Sequence, residues 1–225
     1  VAILDSGINS SHVDLVDNLW LNSNEQANGI DDDQNGIIDD LIGANFINGS
    51  GDPEDDNGHG SAVAGVIGAR GNDGVGIAGV TWDVQLMSLK HLDESGIGTY
   101  SDAIEAIQYA IDQKVDIINN SWGGSGFSRL LESKLREASD KGIVISTAAG
   151  NEGNNLAEIP VYPAAYEIPH QIVVGASDEK NQLASFSNYH RELVHLLAPK
   201  GAYTAYFQET NSYYYITGTS FSAPY

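Results

Sequence analysis

Short apolar runs alternate with stretches of helical periodicity along most of the chain. The runs are rich in β-branched residues and nearly continuous in apolar character, which is typical of strands buried on both faces of a parallel sheet. After an opening run at 1–4, they predict strands at 84–89, 115–119, 143–148, 172–176 and 194–198.

Three stretches between these runs carry apolar residues at helical spacing. The first follows Ser101, a favourable N-cap, the second runs from about 128 to 141 and stops at Gly142, and the third begins near His59. Their inward-facing residues are Ile104, Ile107 and Ile111; Leu131, Leu135 and Ala138; and Ala62, Val63, Val66 and Ile67, respectively. The alternation predicts a single domain over 1–225, a doubly wound α/β fold with a mostly parallel sheet and helices on both faces.

Both ends of the sequence fall at predicted elements. The chain opens on an apolar run with no initiator Met or signal sequence, and it stops at Tyr225, where a helix following Ser220 is expected. We therefore expect this domain to be truncated at both ends.

Charge and composition narrow the functional classes. The 225 residues carry 31 acidic and 10 basic side chains, a net charge of −21, which disfavours nucleic acid and anionic membrane surfaces as partners. No run of 18 apolar residues could span a bilayer, and with no cysteine there is no thiolate chemistry or disulfide. The acidity is uneven, because 13 of the 31 acids precede Arg70, the first basic residue.

Three polar residues stand at predicted element ends. Asp5 directly follows the first strand, His59 lies between two glycines at a helix start, and Ser220 lies on a Gly-Thr-Ser turn. Each alone is an ordinary turn or capping residue. Together they supply a nucleophile, a base that titrates near neutrality and a carboxylate that orients the base, in one of the known chain orders of the acyl-transfer triad.

The segments around these residues resemble the three signatures of the subtilisin-like serine proteases, the subtilases. They read Asp-Ser-Gly at 5–7, Asn-Gly-His-Gly-Ser at 57–61, and Gly-Thr-Ser at 218–220 followed by Ala-Pro at 223–224. The connecting segments also resemble the family, in its substrate-binding strand (120–124), its oxyanion segment (148–151) and the rim of a substrate pocket (98–101). The resemblance covers essentially the whole chain and implies a subtilisin-like fold.

The resemblance implies a serine endopeptidase that works through an acyl-enzyme intermediate. Ser220 would be the nucleophile, His59 the general base and then acid, and Asp5 the orienting carboxylate, while Asn151 and the Ser220 backbone N–H would bind the oxyanion. Polypeptide substrate would pair with the chain as an added strand. The implied substrate-binding residues are Ser121, Trp122, Gly123, Gly124, Tyr100, Gly150 and Val161.

The chain departs from the family pattern at four positions. Ala62 replaces a second histidine, Phe221 a common methionine and Ser222 a common alanine, and none of these belongs to the triad. Val161 stands where the family often has glycine in the primary specificity pocket, so we expect a shallower pocket.

An acidic loop at about 28–42 places oxygen ligands at alternating positions around a glycine turn. It begins like an EF-hand, but Ile42 replaces the closing glutamate. The predicted ligands of a structural calcium ion, a common feature of subtilases, are Asp31, Asp33, Asn35, the Ile37 carbonyl, Asp39 and Asp40. The alternative is an acidic surface turn. The chemistry itself needs no metal.

A second acidic group, at 52–56, immediately precedes His59. It is either a solvated turn, or Asp55 or Asp56 lines the cleft and favours basic substrate residues.

Two other functions stay open. One is a non-catalytic subtilase-like module that binds peptides or calcium, and the other is a sedolisin-type serine-carboxyl peptidase, which His59 and Asn151 disfavour. A phosphotransferase that uses Asp5 fits poorly, because the second aspartate of that chemistry is missing. The family resemblance further implies secretion or a place at the cell surface, and a propeptide in the precursor, and we expect a monomer.

Overall fold

The computed structural model describes all 225 residues and is built on a seven-stranded sheet. In spatial order the strands run β2-β3-β1-β4-β5-β6-β7, and every neighbouring pair is parallel. The strands are β1 (Ala2–Asp5), β2 (Gly43–Asn45), β3 (Met87–Lys90), β4 (Ile117–Asn120), β5 (Val144–Ala148), β6 (Gln171–Ser177) and β7 (Leu196–Pro199). The strand order reverses at β1, and ligands of such sheets bind at this switch point.

Helices cover both faces of the sheet. The helices are α1 (His59–Gly68), α2 (Tyr100–Asp112) and α3 (Arg129–Asp140). Leu4 packs with α2 and α3 in the larger core, whereas its neighbour Ile3 packs with α1 on the opposite face. An antiparallel hairpin of β8 (Gly201–Ala205) and β9 (Tyr213–Thr217) lies against α1. The predicted doubly wound α/β fold is confirmed.

The element ends show where sequence reasoning was accurate and where it was not. Ser128 caps α3 by accepting a hydrogen bond from the Leu131 N–H at 3.3 Å, as the pattern indicates. The prediction of Ser101 as the cap of α2 is wrong: Thr99 accepts from the Asp102 N–H, so the helix begins two residues earlier. The third helix begins at His59, as predicted.

Two strands gave little or no sequence pattern. β2 is only Gly-Ala-Asn, too short for a periodicity, and β8 follows Pro199 without a buried apolar run. None of the helices is long and apolar enough to cross a membrane.

The two neighbouring leucines of α3 test which face carries the core. Leu131 is fully buried, whereas Leu130 is 74% exposed. Leu131→Ala should lower the free energy of unfolding by about 2–5 kcal/mol, because it removes buried methyl groups and leaves a cavity. Leu130→Ala should change it by less than about 0.5 kcal/mol. Denaturant unfolding measures both, and equal effects would contradict the assignment of the faces.

Candidate active site

Asp5 and His59 meet where β1 ends and α1 begins. The Nδ1 atom of His59 lies 2.7 Å from the Oδ1 atom of Asp5, whose side chain is fully buried, while the imidazole is 27% exposed. Burial alone would lower the pKa of His59, but the charge and hydrogen bond of Asp5, with a smaller contribution from Asp55, raise it above the ordinary value. The buried carboxylate thus favours the imidazolium form and holds one ring nitrogen, leaving Nε2 for other partners.

Glycines bring these two elements together. A Cβ atom on Gly60 would overlap the carbonyl oxygen of Gly7, so the first turn of α1 lies directly against the chain that leaves β1. Gly58 precedes His59 with φ +103°, a left-handed conformation that glycine adopts without strain. Gly58 and Gly60, the two glycines that flank His59 in the sequence, therefore allow His59 to come within hydrogen-bonding distance of Asp5.

Ser220 is hydrogen-bonded to Ser121, the residue that follows β4. Its Oγ donates to the Ser121 carbonyl at 3.0 Å, and the Ser121 Oγ donates to the Ser220 carbonyl at 2.8 Å. The ring of Phe221, the next residue, lies 5.3 Å from the His59 ring, centroid to centroid. Ser220 lies within a 3₁₀ turn over Thr219–Phe221.

Asn151 faces the same turn from the loop that follows β5. Its Oδ1 accepts from the Thr219 N–H at 2.8 Å and from the Thr219 hydroxyl at 3.0 Å. The Gly150 N–H donates to that hydroxyl at 3.1 Å. Because the amide oxygen is held in this way, the Nδ2 group of Asn151 is the end left to donate to another partner. Sequence reasoning did not single out Thr219, although it stands inside the quoted turn.

A cleft of about 410 Å³ opens beside His59. Four of the predicted substrate-binding residues line it with His59, namely Tyr100, Ser121, Trp122 and Gly123. Gly124 pairs with Tyr162 through two backbone hydrogen bonds of 2.8 Å.

The remaining predicted substrate-binding residues lie around this groove. A Cβ atom on Gly123 would come within 2.7 Å of the Val161 side chain, so valine reaches the groove wall at this point. Gly150 adopts φ +100° in the loop that holds Asn151. The expected shallow pocket at Val161 stays a prediction.

The acidic loop gathers three carboxylates. Ligand atoms of Glu25, Asp33 and Asp40 lie within 4.8 Å of one another, and Glu25 and Asp40 are buried. Sequence reasoning missed Glu25 because it precedes the loop motif. Burial raises the pKa of Asp40, an effect that hydrogen bonds from Tyr109, Asn35 and Asn22 partly offset.

The other predicted ligands of this loop have local hydrogen-bonding roles. Asp31 accepts from the N–H groups of Asn35 and Gly36, and Asp39 accepts from two N–H groups at 28–29. Asn35 donates its Nδ2 to Asp40 and caps the Ile37 N–H. Their coordination of a metal stays a prediction.

Neither Asp55 nor Asp56 is among the residues that line the cleft beside His59, and a preference for basic substrate residues stays a prediction. Asp55 is 6% exposed and bonds to the start of α1, and Asp56 forms an ion pair of 2.6 Å with the buried Lys90. Neither carboxylate is an unpaired charge in the cleft.

Comparison with known proteins gives the family. The family model described as "Subtilase family" matches residues 1–225. The chain belongs to the subtilase family. "Subtilisin-like protease 1" of Plasmodium berghei (strain Anka) is 32% identical over 243 residues, which cover 100% of this chain and 41% of that protein. "Thermophilic serine proteinase" of Bacillus sp. (strain AK1) is 35% identical over 225 residues, covering 100% and 49%.

A solved structure agrees with this assignment. That of "a cold adapted subtilisin-like serine proteinase" superposes with a TM-score of 0.80 at 27% identity, covering 99% of this chain and 70% of the other. This subtilase chain spans less than half the length of the curated relatives named above.

The histidine of this subtilase provides a test of the site's electrostatics. His59 should titrate above its ordinary value of about 6.5, and Asp5→Asn should lower its pKa, because the substitution removes the charge that favours imidazolium. The stabilisation from protonated His59 is present below about pH 6.5 and is lost as the pH rises through the folded-state pKa. NMR titration of the imidazole, with and without Asp5→Asn, measures this. A pKa unchanged by Asp5→Asn would contradict the assignment.

Proposed function

We propose that this chain is the catalytic domain of a serine endopeptidase that hydrolyses peptide bonds in proteins. The observation that carries the proposal is the contact of 2.7 Å between Asp5 and His59 beside a cleft that Ser121 also lines, with Ser220 bonded to Ser121 and Asn151 bonded to the Ser220 turn. Membership of the subtilase family supports it, since the matched relatives bear the names of proteases.

In the first half of the reaction Ser220 attacks the substrate carbonyl. His59 takes the hydroxyl proton at Nε2 as the new C–O bond forms, and then gives that proton to the leaving amine. Asp5 keeps the ring in the tautomer that has its proton on Nδ1 and stabilises the imidazolium. The hydroxyl must first turn away from the Ser121 carbonyl, to which it donates here.

The second half releases the acyl group. Water attacks the acyl-enzyme with His59 as base, and Ser220 recovers its proton from the imidazolium. In both halves negative charge develops on the substrate oxygen, and the Nδ2 group of Asn151 and the Ser220 backbone N–H would stabilise it. Thr219 supports this role, because its bonds to the Asn151 oxygen fix which end of the amide faces the substrate.

Substrate would bind as an extended strand along 121–124. Gly123 lines the cleft on this edge, where it would pair with a peptide backbone, and Tyr100 and Trp122 give the cleft an apolar wall. Backbone capture of this kind favours polypeptides over small esters. Gly150 and Val161 would border the pocket for the residue that precedes the cleaved bond.

Substitution at Ser220 tests the chemistry. Ser220→Ala in the full-length protein should abolish peptidase activity and labelling by a fluorophosphonate, whereas Ser222→Ala, two residues away, should keep both. Asn151→Ala should lower kcat by about 10²–10³-fold, a magnitude known from subtilisin itself rather than derived from this chain. A labelled Ser220→Ala protein would refute the mechanism. A wild-type protein that takes no label would revive the non-catalytic module.

The acidic loop would hold a structural calcium ion. Glu25, Asp33 and Asp40 fit this role, because three close carboxylates repel one another without a cation and hard oxygen donors prefer calcium. An ion there would supply positive charge between the carboxylates and tie the segment before the loop to its end. No catalytic step depends on it.

Calcium removal tests the loop. At about 100 times its dissociation constant, Ca²⁺ should stabilise the protein by about 2.7 kcal/mol, or roughly 5–10 °C in Tm for a domain of this size. Glu25→Gln should lose most of that gain, while Glu105→Gln, on the exposed side of α2, should keep it. Thermal unfolding of EDTA-treated protein with Ca²⁺ alone added back measures the shift. An unchanged Tm would favour a plain acidic turn.

Secretion, a propeptide and a monomeric state belong to the same proposal as implications of the family. The full-length reading frame and the molecular mass in solution would test them.

A further inference from the structure

A second buried carboxylate lies behind the candidate triad. Asp55 is 6% exposed and accepts five hydrogen bonds. Its Oδ1 accepts from the Asn57 N–H at 3.0 Å, the Gly58 N–H at 2.8 Å and the Ser6 hydroxyl at 2.9 Å. Its Oδ2 accepts from the N–H and hydroxyl of Ser61 at 2.9 and 2.6 Å. Both lone-pair-bearing oxygens are therefore fully engaged, which fixes the position of the carboxylate.

These bonds surround His59 on both sides. Gly58 precedes His59 and donates directly to Asp55, while Gly60 follows His59 and donates to the Ser6 hydroxyl at 3.0 Å. Because that hydroxyl itself donates to Asp55, the backbone on each side of His59 is tied to one carboxylate.

Asp55 is also linked, through Ser6, to Asp5, the other partner of the Asp5–His59 pair. Ser6 directly follows Asp5 and donates its N–H to the Asp5 Oδ1 at 2.8 Å. Asn9, further along the chain that leaves β1, donates its N–H to the Ser61 hydroxyl at 2.9 Å. Asp55 thus connects the end of β1 to the start of α1, the two elements whose separation sets the Asp5–His59 contact.

We propose that Asp55 is a positioning residue for the triad, which sets the Asp5–His59 contact through Ser6 and the first turn of α1. Its negative charge also raises the pKa of His59, in addition to the larger effect of Asp5. The inference rests on the proposed peptidase function, which gives that contact its role. A backbone displacement of about 1 Å is enough to lower turnover by 10²-fold in well-oriented sites.

Few charged groups other than Asp55 lie around His59. Asp5 faces His59 from β1, and Asp56 and Lys90 form an ion pair at the end of β3. His91 follows Lys90, and burial lowers its pKa to about 4, so it is neutral near pH 7. The hairpin presents the aromatic rings of residues 206 and 207 over Gly58, and the Ser220 turn presents Phe221, none of them charged near neutral pH. Loss of the Asp55 charge should therefore be visible in the titration of His59.

The test compares Asp55→Asn with Glu54→Gln in the full-length protein. Asn keeps the shape of the side chain but replaces one acceptor oxygen by a donor, whereas Glu54 is an exposed acid of the same segment that bonds only to the Ser10 N–H. Asp55→Asn should lower kcat by roughly 10–100-fold, change KM by less than about threefold, and move the acid limb of kcat/KM to lower pH. That direction follows because His59 must be neutral to act as base and loses a charge that favours its protonation. Glu54→Gln should keep kcat within about twofold.

A purely structural role would give a different pattern. Unchanged kcat with an unmoved acid limb in Asp55→Asn would overturn the proposal, and so would a loss of activity with the acid limb unmoved. Should Asp55→Asn fail to fold, Ser6→Ala removes the relay and keeps the charge. It should lower kcat without moving the acid limb, and wild-type kcat in Ser6→Ala would overturn the relay.

The proposal can fail separately from the proposed function. A wild-type protein that neither cleaves peptides nor takes a fluorophosphonate label would refute the peptidase assignment. NMR titration of His59 in Asp55→Asn needs no activity: a lowered pKa supports the role of Asp55, and an unchanged pKa overturns it.

Discussion

The site depends on the close approach of two backbone segments, the one that leaves β1 and the one that enters α1. Gly7 and Gly60 allow this approach, because a Cβ atom on either would overlap main-chain atoms of the other segment. The contact of 2.7 Å between Asp5 and His59 is possible only at this separation. The rest of the fold serves the same end, since β1 is held between β3 and β4 in the middle of the sheet.

The parallel strands explain how site residues from distant parts of the sequence come together. Their carboxyl ends share one edge, so residues from distant parts of the sequence reach the site simply by ending a strand or following one. Asp5 ends β1, Ser121 follows β4, and Asn151 comes three residues after β5. Ser220 is the exception, because it comes from the hairpin and is fastened to this edge by its reciprocal bonds with Ser121.

The sequence was a good guide wherever one local pattern decides the structure. The apolar runs predicted six of the seven parallel strands, all but β2, and the two glycines beside His59 placed that residue at a helix start. The sequence was a poor guide where two neighbouring residues could both cap a helix, as Ser101 and Thr99 could for α2. It was also a poor guide where a residue contacts partners that are distant in the chain. Glu25 joins the carboxylates of the acidic loop from outside the motif, and Asp55 reads as one of several turn acids until its five donors are in place.

The acidity of the first third follows from how its carboxylates are stabilised. Few cationic side chains pair with these 13 acids: Arg70 pairs with Asp17, Lys90 with Asp56, and protonated His59 with Asp5. Backbone N–H groups stabilise several of the other carboxylates by hydrogen bonds. The turns at 28–36 donate to the loop aspartates, and the start of α1 donates to Asp55. Such donors are fixed by the fold, so they cost no side-chain entropy and are screened less by salt than exposed ion pairs. Negative charge can therefore accumulate next to His59, where it favours the imidazolium.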